Sequence, residues 1–134
     1  MQAKVFSQST SPKILIVEDD PDQSDMLKDT LEHEGYGADT AFNGDMAYAK
    51  LLEREYDLVI LDIRMPGLNG ASVLRAYRAR GKARHVPIVL VSAFATEEDM
   101  RSYREDGADA SLAKPYEMQE LLDLIAQLVP KGLV

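Results

Sequence analysis

The protein has 134 residues, of which 46% are hydrophobic, and a formal net charge of −8 at pH 7. This length suits a single domain, and the hydrophobic content is enough to bury a core and too high for general disorder. The acidic excess argues against direct binding of nucleic acid, which requires a basic surface, and suits a cation site or a basic partner.

Several classes of protein are set aside by what the sequence lacks. Because it has no cysteine, disulfides, thiolate metal sites and thiol nucleophiles are excluded. Residues 1–12 are polar and have no apolar core run or positive cluster, so they indicate a flexible N-terminal arm rather than a signal peptide. No apolar run approaches membrane-spanning length. We therefore expect a cytoplasmic protein without a membrane contact.

Strands and helices are predicted to alternate along the rest of the chain. The first half contains a strand over Lys13–Val17, a helix from Pro21 to about Gly35, a weaker strand over Tyr36–Ala41, a helix around Ala47–Leu52 and a strand over Asp57–Leu61. The second half contains a helix through Val73–Tyr77, a strand over Pro87–Val91, a helix from Thr96 to Gly107, a strand over Ala110–Ala113 and a helix over about Glu117–Leu128.

This alternation predicts the fold class. Short continuous apolar runs are typical of strands that are buried on both faces. Five strand–helix units in succession imply an α/β protein with a doubly wound parallel sheet and helices on both faces. We assign the domain to residues 13–130 and a C-terminal tail to residues 131–134. Because the chain ends just after the fifth helix, we expect no second domain within it.

Polar residues follow four of the five predicted strands, at the sheet edge where open α/β folds bind ligands. An acidic triplet, Glu18–Asp20, follows the first strand, and Asp62 follows the third. Ser92 follows the fourth strand and Lys114 belongs to the end of the fifth. Each residue alone has an ordinary explanation, such as a turn, a helix N-terminus or a solvated lysine. Their convergence on one edge predicts a functional site.

The acids at this edge predict a metal site. Crowded carboxylates are unfavourable unless a cation neutralises them, and oxygen ligands without sulfur suit Mg²⁺ or Mn²⁺. Glu18 or Asp19, together with Asp62, supplies such a set. The alternative is that Glu18–Asp20 only favours the start of the next helix, and the independent acid at Asp62 argues against it.

The other groups at the edge suit phosphoryl transfer. Asp62 can act as a nucleophile and form an aspartyl phosphate. Ser92 offers a hydroxyl to a phosphoryl oxygen, with space left beside it by Ala93, and Lys114 offers a point charge. A cis peptide bond at Pro115 would aim the lysine inward.

On these residues the sequence resembles the receiver domain of bacterial two-component response regulators, including the chemotaxis regulators. The matching segments, which span nearly the whole chain after the arm, are Ile14–Pro21, Leu58–Gly70, Pro87–Ala93 and Ala113–Tyr116. The resemblance implies a flavodoxin-like fold with five strands in the order 2-1-3-4-5 and five helices. It also implies that Asp62 receives a phosphoryl group from a phosphohistidine on a histidine kinase or a phosphotransfer protein.

The resemblance assigns roles to the other site residues. The metal ligands are Glu18, Asp19, Asp62 and the backbone carbonyl of Arg64, with Asp19 the stronger candidate of the acidic pair. The phosphoryl contacts are Ser92, Ala93 and Lys114. Phosphoryl transfer needs positioning and charge neutralisation more than covalent machinery, which agrees with this set.

Five positions depart from the commonest family pattern. Ser111 occupies the position where many members carry the aromatic ring that changes rotamer on activation. Arg64 and Phe94 are bulky at positions that tune access of water to the phosphoryl group, which predicts slow hydrolysis. Asp123 and Ala110 replace the Arg and Asp of the subfamily that dimerises through its last two helices and last strand. We therefore expect a monomer or a weak dimer.

Other readings are open at this stage. A haloacid dehalogenase-type phosphohydrolase also uses an aspartate after a buried strand, but it needs a second aspartate where Arg64 stands. A dinucleotide binder needs a glycine-rich turn after the first strand, and a non-phosphorylated interaction module would not need the site residues.

The resemblance implies that the signal passes to a separate protein target or to a fused output domain, so the chain is either a stand-alone regulator or a fragment.

Overall fold

The computed structural model describes residues 11–64, 69–81, 85–93 and 96–129. The strands in this part of the chain are β1 (Lys13–Val17), β2 (Gly37–Ala41), β3 (Leu58–Asp62), β4 (Ile88–Ala93) and β5 (Ala110–Lys114). The helices are α1 (Pro21–His33), α2 (Gly44–Glu53), α3 (Gly70–Ala79), α4 (Glu97–Glu105) and α5 (Met118–Leu128). The predicted arm and tail fall largely outside these ranges and stay predictions.

The five strands form one parallel sheet in the order β2-β1-β3-β4-β5. Both the parallel arrangement and this order confirm the flavodoxin-like fold predicted from the sequence. Parallel strands joined by helical crossovers must have both sheet faces covered, which explains why β1 and β3 are apolar almost throughout.

Two hydrophobic clusters lie on opposite faces of the sheet. Ile14 and Ile16 point into the cluster that α1 and α5 cover, while Leu15 and Val17 point into the cluster that α2 and α3 cover. This division follows from the alternation of side chains along a strand. The central strands are therefore fixed in register, and so are the polar residues at their carboxyl ends.

Side-chain caps set where the helices begin. Asp20, Asn43, Asn69 and Thr96 are the N-caps of α1 to α4, and each accepts a hydrogen bond from a backbone N–H in the first turn. The helix start predicted at Thr96 is confirmed, and Thr96 forms a capping box with Asp99.

Two apolar residues on the first two helices do not belong to the core. Met26 of α1 is 56% exposed and Leu52 of α2 is 43% exposed, because the buried positions of these helices are Leu27 and Leu51. No helix in the described ranges is long and apolar enough to cross a bilayer.

Candidate functional site

The carboxyl ends of β1, β3 and β5 bring together three residues that are far apart in sequence. Asp62 is the last residue of β3, Glu18 directly follows β1, and Lys114 is the last residue of β5. Asp62 and Glu18 are only 6% and 5% exposed, which is unusual for acids and requires charged or hydrogen-bonding partners.

Lys114 is the partner that both buried acids share. Its Nζ donates to Asp62 Oδ2 at 3.0 Å and to Glu18 Oε1 at 3.0 Å. It also donates to Gln23 Oε1 on α1 at 3.2 Å. The Lys114–Pro115 peptide bond is cis, as predicted. The structure thus places the lysine over the carboxylates rather than in solvent.

The acids also form a group that fits a metal ion. One carboxylate oxygen each of Glu18, Asp19 and Asp62 lies within 4.8 Å of the others, and Asp19 is exposed to solvent. In each of the two buried acids, the oxygen that does not accept from Lys114 accepts from the backbone: Asp62 Oδ1 from Arg64 N at 3.0 Å and Glu18 Oε2 from Asp20 N at 3.1 Å. Oxygen ligands of this kind suit a hard divalent cation such as Mg²⁺.

The charges in the pocket influence one another. Burial raises the pKa of Glu18, and the nearby charge of Asp62 raises it further against the opposing hydrogen bonds from Asp20 N and Lys114. Burial alone would lower the pKa of Lys114, but its hydrogen bonds to Glu18 and Asp62, and their charges, raise it. Three carboxylates and one ammonium leave the pocket with excess negative charge, which a bound cation would neutralise.

Ser92 lies at the same edge but its hydroxyl points elsewhere. It is 3% exposed, and its Oγ donates to the carbonyl of Ala93 at 3.2 Å. Its neighbour in β4, Val91, pairs with Asp62 across the sheet, so Ser92 stands one residue beyond that pair. Rotation about one side-chain bond would release the hydroxyl. Ala93 is half-buried beside it.

The remaining predicted site residues are Ser111, Arg64 and Phe94. Ser111 in β5 pairs with Leu90 of β4 and is half-buried, so β4 lies between it and Asp62 at the end of β3. The Arg64 side chain is exposed, and its backbone carbonyl stays a predicted ligand. Phe94 lies outside the described residues.

Sequence reasoning missed two features of the site. Gln23 contacts Lys114, although its place in the first turn of α1, three residues after the N-cap Asp20, could have suggested this. A hollow of about 600 Å³ also opens beside Lys114. It is lined by Gln23, Met26, Leu27, Ala93, Pro115, Tyr116 and Met118.

Comparison with known proteins adds independent information. The profile of the family described as response regulator receiver domain matches residues 14–126. The chain is 41% identical to a probable transcriptional regulatory protein, SilR of Salmonella typhimurium, over 90% of this chain and 52% of SilR. It is 38% identical to the phosphate regulon regulator PhoB of Rhizobium meliloti, over 90% of this chain and 53% of PhoB. The chain thus spans about half the length of these relatives.

Solved structures agree. The receiver domain of Francisella response regulator 1452 superposes with a TM-score of 0.83 at 29% identity, covering 88% of this chain and 96% of that domain. Response regulator TrrA of Thermotoga maritima, solved in complex with Mg(2+)-BeF, gives a TM-score of 0.77 at 35% identity, covering 88% of this chain and 99% of TrrA. Because the family match reaches from β1 into α5 and includes every residue of the acidic pocket, the chain belongs to the response regulator receiver domain family.

Proposed function

We propose that Asp62 accepts a phosphoryl group and that the domain acts as a phosphorylation-dependent switch. Phosphorylation on an aspartate is general in this family. The observation that carries the assignment to Asp62 is its hydrogen bond to Lys114 at the buried end of β3, with Glu18 and Asp19 beside it. No catalysis is proposed beyond the domain's own phosphorylation and dephosphorylation.

The proposed reaction needs little more than positioning. A carboxylate oxygen of Asp62 attacks phosphorus, the P–N bond of a phosphohistidine breaks, and the imidazole leaves with a proton from solvent. Lys114 remains over the site and neutralises a phosphoryl oxygen. The Ser92 hydroxyl turns from the Ala93 carbonyl to donate to another phosphoryl oxygen.

Glu18, Asp19, Asp62 and the Arg64 carbonyl are the residues that would hold Mg²⁺ or Mn²⁺. When bound, the cation supplies neutralisation of the charge on the phosphoryl group and on the pocket. The bulk of Arg64, together with Phe94, supports the further proposal that the phosphoaspartate hydrolyses slowly. Retention of the phosphoryl group over time in Mg²⁺ buffer is the measurement for that proposal.

The proposed phosphodonor is a histidine kinase or a phosphotransfer protein. The signal would leave through a changed surface that includes α4 and α5, toward a separate protein or a fused output domain. Along α4, whose nine residues are all described, no side chain is fully buried, so this helix can shift at low energetic cost. With Ser111 in place of an aromatic ring, movement of α4 itself is the more direct route. A monomer or a weak dimer is the proposed assembly.

The proposal is tested by phosphorylation with a small donor. Purified protein is incubated with acetyl phosphate and Mg²⁺, and its intact mass is measured. We expect the wild type to gain one phosphoryl group and Asp62→Asn to gain none. Asp45→Asn, which changes an exposed aspartate in the first turn of α2, is the matched control and should be phosphorylated normally. A wild type that binds Mg²⁺ but gains no phosphoryl group would contradict the proposal.

Metal binding is measured separately through the thermal unfolding midpoint. A ligand that binds only the folded state raises this midpoint, so Mg²⁺ should raise it for the wild type and for Asp45→Asn. The rise should be smaller for Asp19→Asn, which lacks one predicted ligand. Equal rises in all three proteins would remove Asp19 from the metal site.

A further inference from the structure

We propose that Gln23 is a positioning residue, which holds the ammonium group of Lys114 over Asp62 for phosphoryl transfer. This inference rests on the proposed function of Asp62. An ammonium group has three N–H bonds, and the structure gives Lys114 Nζ three acceptors, on Glu18, Asp62 and Gln23. Gln23 is the one neutral acceptor of these three.

The Gln23 amide is fixed from both ends. Its Oε1 accepts from Lys114 at 3.2 Å, and its Nε2 donates to Asp20 Oδ2 at 3.1 Å. The reverse orientation of the amide would set two donors, and likewise two acceptors, against each other, so the observed orientation is the only one that satisfies both bonds.

Asp20 anchors this connection to the helix. Its other oxygen, Oδ1, accepts from Asp22 N at 3.0 Å and caps α1. The N-terminus of α1 is thereby linked through Gln23 to the last residue of β5. A long lysine side chain loses considerable rotamer freedom when it is held in one position. The acceptor that Gln23 offers from the neighbouring helix α1 reduces the number of rotamers available to Lys114.

The neutrality of the Gln23 amide has a consequence for the reaction. Once Asp62 carries a phosphoryl group, the dianionic oxygens become the strongest acceptors in the pocket. A carboxylate at position 23 would compete for the lysine charge, whereas an amide oxygen orients the ammonium without competing strongly. Gln23 thus keeps Lys114 near the site in the unphosphorylated state and leaves it available for the phosphoryl group.

The test is the rate of phosphorylation by acetyl phosphate in Mg²⁺ for Gln23→Met, which keeps the side-chain length but removes the amide. We expect a rate about threefold to fivefold below that of the wild type, the size of one ordinary hydrogen bond at a solvent-exposed position. The matched control is Gln119→Met on α5, where another exposed glutamine donates through Nε2 to an aspartate, Asp123, at 2.8 Å. Its rate should equal that of the wild type.

A second readout follows Lys114 directly in the unphosphorylated protein. The ¹⁵N–¹H signal of its ammonium group should exchange with water faster in Gln23→Met than in the wild type or in Gln119→Met. An unchanged rate in Gln23→Met, or a slower rate with an unchanged Lys114 signal, would overturn the inference, because Gln23 would not act through Lys114. Failure of the wild type itself to be phosphorylated would be a failure of the proposed function, and is recognised by the absence of any adduct.

Discussion

The carboxylates at the two ends of the sheet differ in how many hydrogen-bond donors surround them. At the amino end, Asp109 precedes β5 and is surrounded by donors: Arg78 Nη2 lies 2.9 Å from Oδ2, His85 Nε2 lies 2.8 Å from Oδ1, and the backbone N–H of Ile88 donates to Oδ2 at 2.8 Å. At the carboxyl end, Glu18 and Asp62 share the ammonium of Lys114, and Asp19 adds a third negative charge beside them. One end has a saturated acid, and the other end has an excess of negative charge.

This difference separates structural acids from functional ones. Asp109 joins α3, β4 and β5, and each of its bonds holds the fold together. Burial lowers the pKa of Arg78, and the charge and hydrogen bond of Asp109 oppose that effect, so Asp109 compensates the partial desolvation of the guanidinium. The acids around Asp62 gain little for the fold by lying so close, because like charges oppose each other. Their arrangement makes sense for binding a cation and a phosphoryl group.

The largest expected loss of stability comes from a substitution that presses on the backbone at the carboxyl end of β3. Gly70 N donates to the carbonyl of Ile63 at 3.1 Å, and a Cβ at this position would press on the Asp62 carbonyl and lie 2.8 Å from Ile63 Cα. Because backbone atoms cannot move aside cheaply, Gly70→Ala should destabilise the protein by about 3 kcal/mol, as overpacking does. Equilibrium unfolding in urea measures the change.

Gly37→Ala is the matched control for that substitution. Gly37 lies in β2, and the nearest atom to an added Cβ is 3.6 Å away on the Lys13 side chain, so the free energy of unfolding should change by less than about 1 kcal/mol. If the two alanine variants were equally stable, the packing of Gly70 against β3 would not constrain Asp62.

Replacing one aspartate by asparagine at each end of the sheet compares how much the two acids contribute to stability. Asp109→Asn removes the charge that Arg78 and His85 share, and should lower the free energy of unfolding by about 2 kcal/mol, as expected for partly buried hydrogen bonds to charged groups. Asp62→Asn removes one of three crowded charges and keeps the acceptor for Arg64 N, but it loses the acceptor for Lys114, which retains Glu18 and Gln23. These effects oppose each other, so stability should change by less than about 1 kcal/mol.

Both asparagine variants are compared in urea at neutral pH and without Mg²⁺. Only the difference between them tests the distinction, since each variant alone also changes the unfolded state. A loss of stability in Asp62→Asn as large as that in Asp109→Asn would mean that the acidic pocket contributes to the fold.

The fold and most of the pocket were predictable because they rest on periodic patterns. Apolar runs placed the strands, and the parallel sheet then required Glu18, Asp62 and Lys114 to meet at one edge. The contact of Gln23 with Lys114 spans 91 positions, and that of Arg78 with Asp109 spans 31. Neither contact repeats with a helix or strand period, so neither follows from the apolar pattern, and for Gln23 only its place in the first turn of α1 could have suggested it.

Side-chain orientation was the other part that the sequence did not reveal. The position of Ser92 at the end of β4 followed from its strand, but the direction of its hydroxyl depends on a local choice between the Ala93 carbonyl and other acceptors. The exposure of Met26 likewise depends on how α1 is rotated over the sheet. Strand position is set by many residues together, whereas each rotamer is set by a few nearby contacts.

The last expected effect appears only at alkaline pH and concerns a second paired acid outside the pocket, Asp39 in β2. Its Oδ2 accepts from Tyr56 Oη at 2.9 Å and from Arg54 Nη1 at 2.9 Å. Burial and the hydrogen bond to Asp39 raise the pKa of Tyr56 to about 12. The unfolded chain, whose tyrosines ionise near their usual value of about 10, therefore loses this proton first. Stability should accordingly fall as pH rises from about 10 to about 12.

Tyr56→Phe should reduce that alkaline loss, because it removes the phenol that ionises in the unfolded chain but stays protonated in the fold. Tyr48→Phe, which changes a tyrosine packed against the same hydrophobic cluster, leaves the Asp39–Tyr56 pair intact and should retain the loss.

At acidic pH, stability instead falls as pH decreases. Although burial opposes it, the hydrogen bonds and positive charges around Asp39 lower its pKa, so its contribution disappears only as pH falls below the usual aspartate range. An alkaline loss equal in Tyr56→Phe and wild type would show that Asp39, unlike Asp109, is not tied to the fold through its partner.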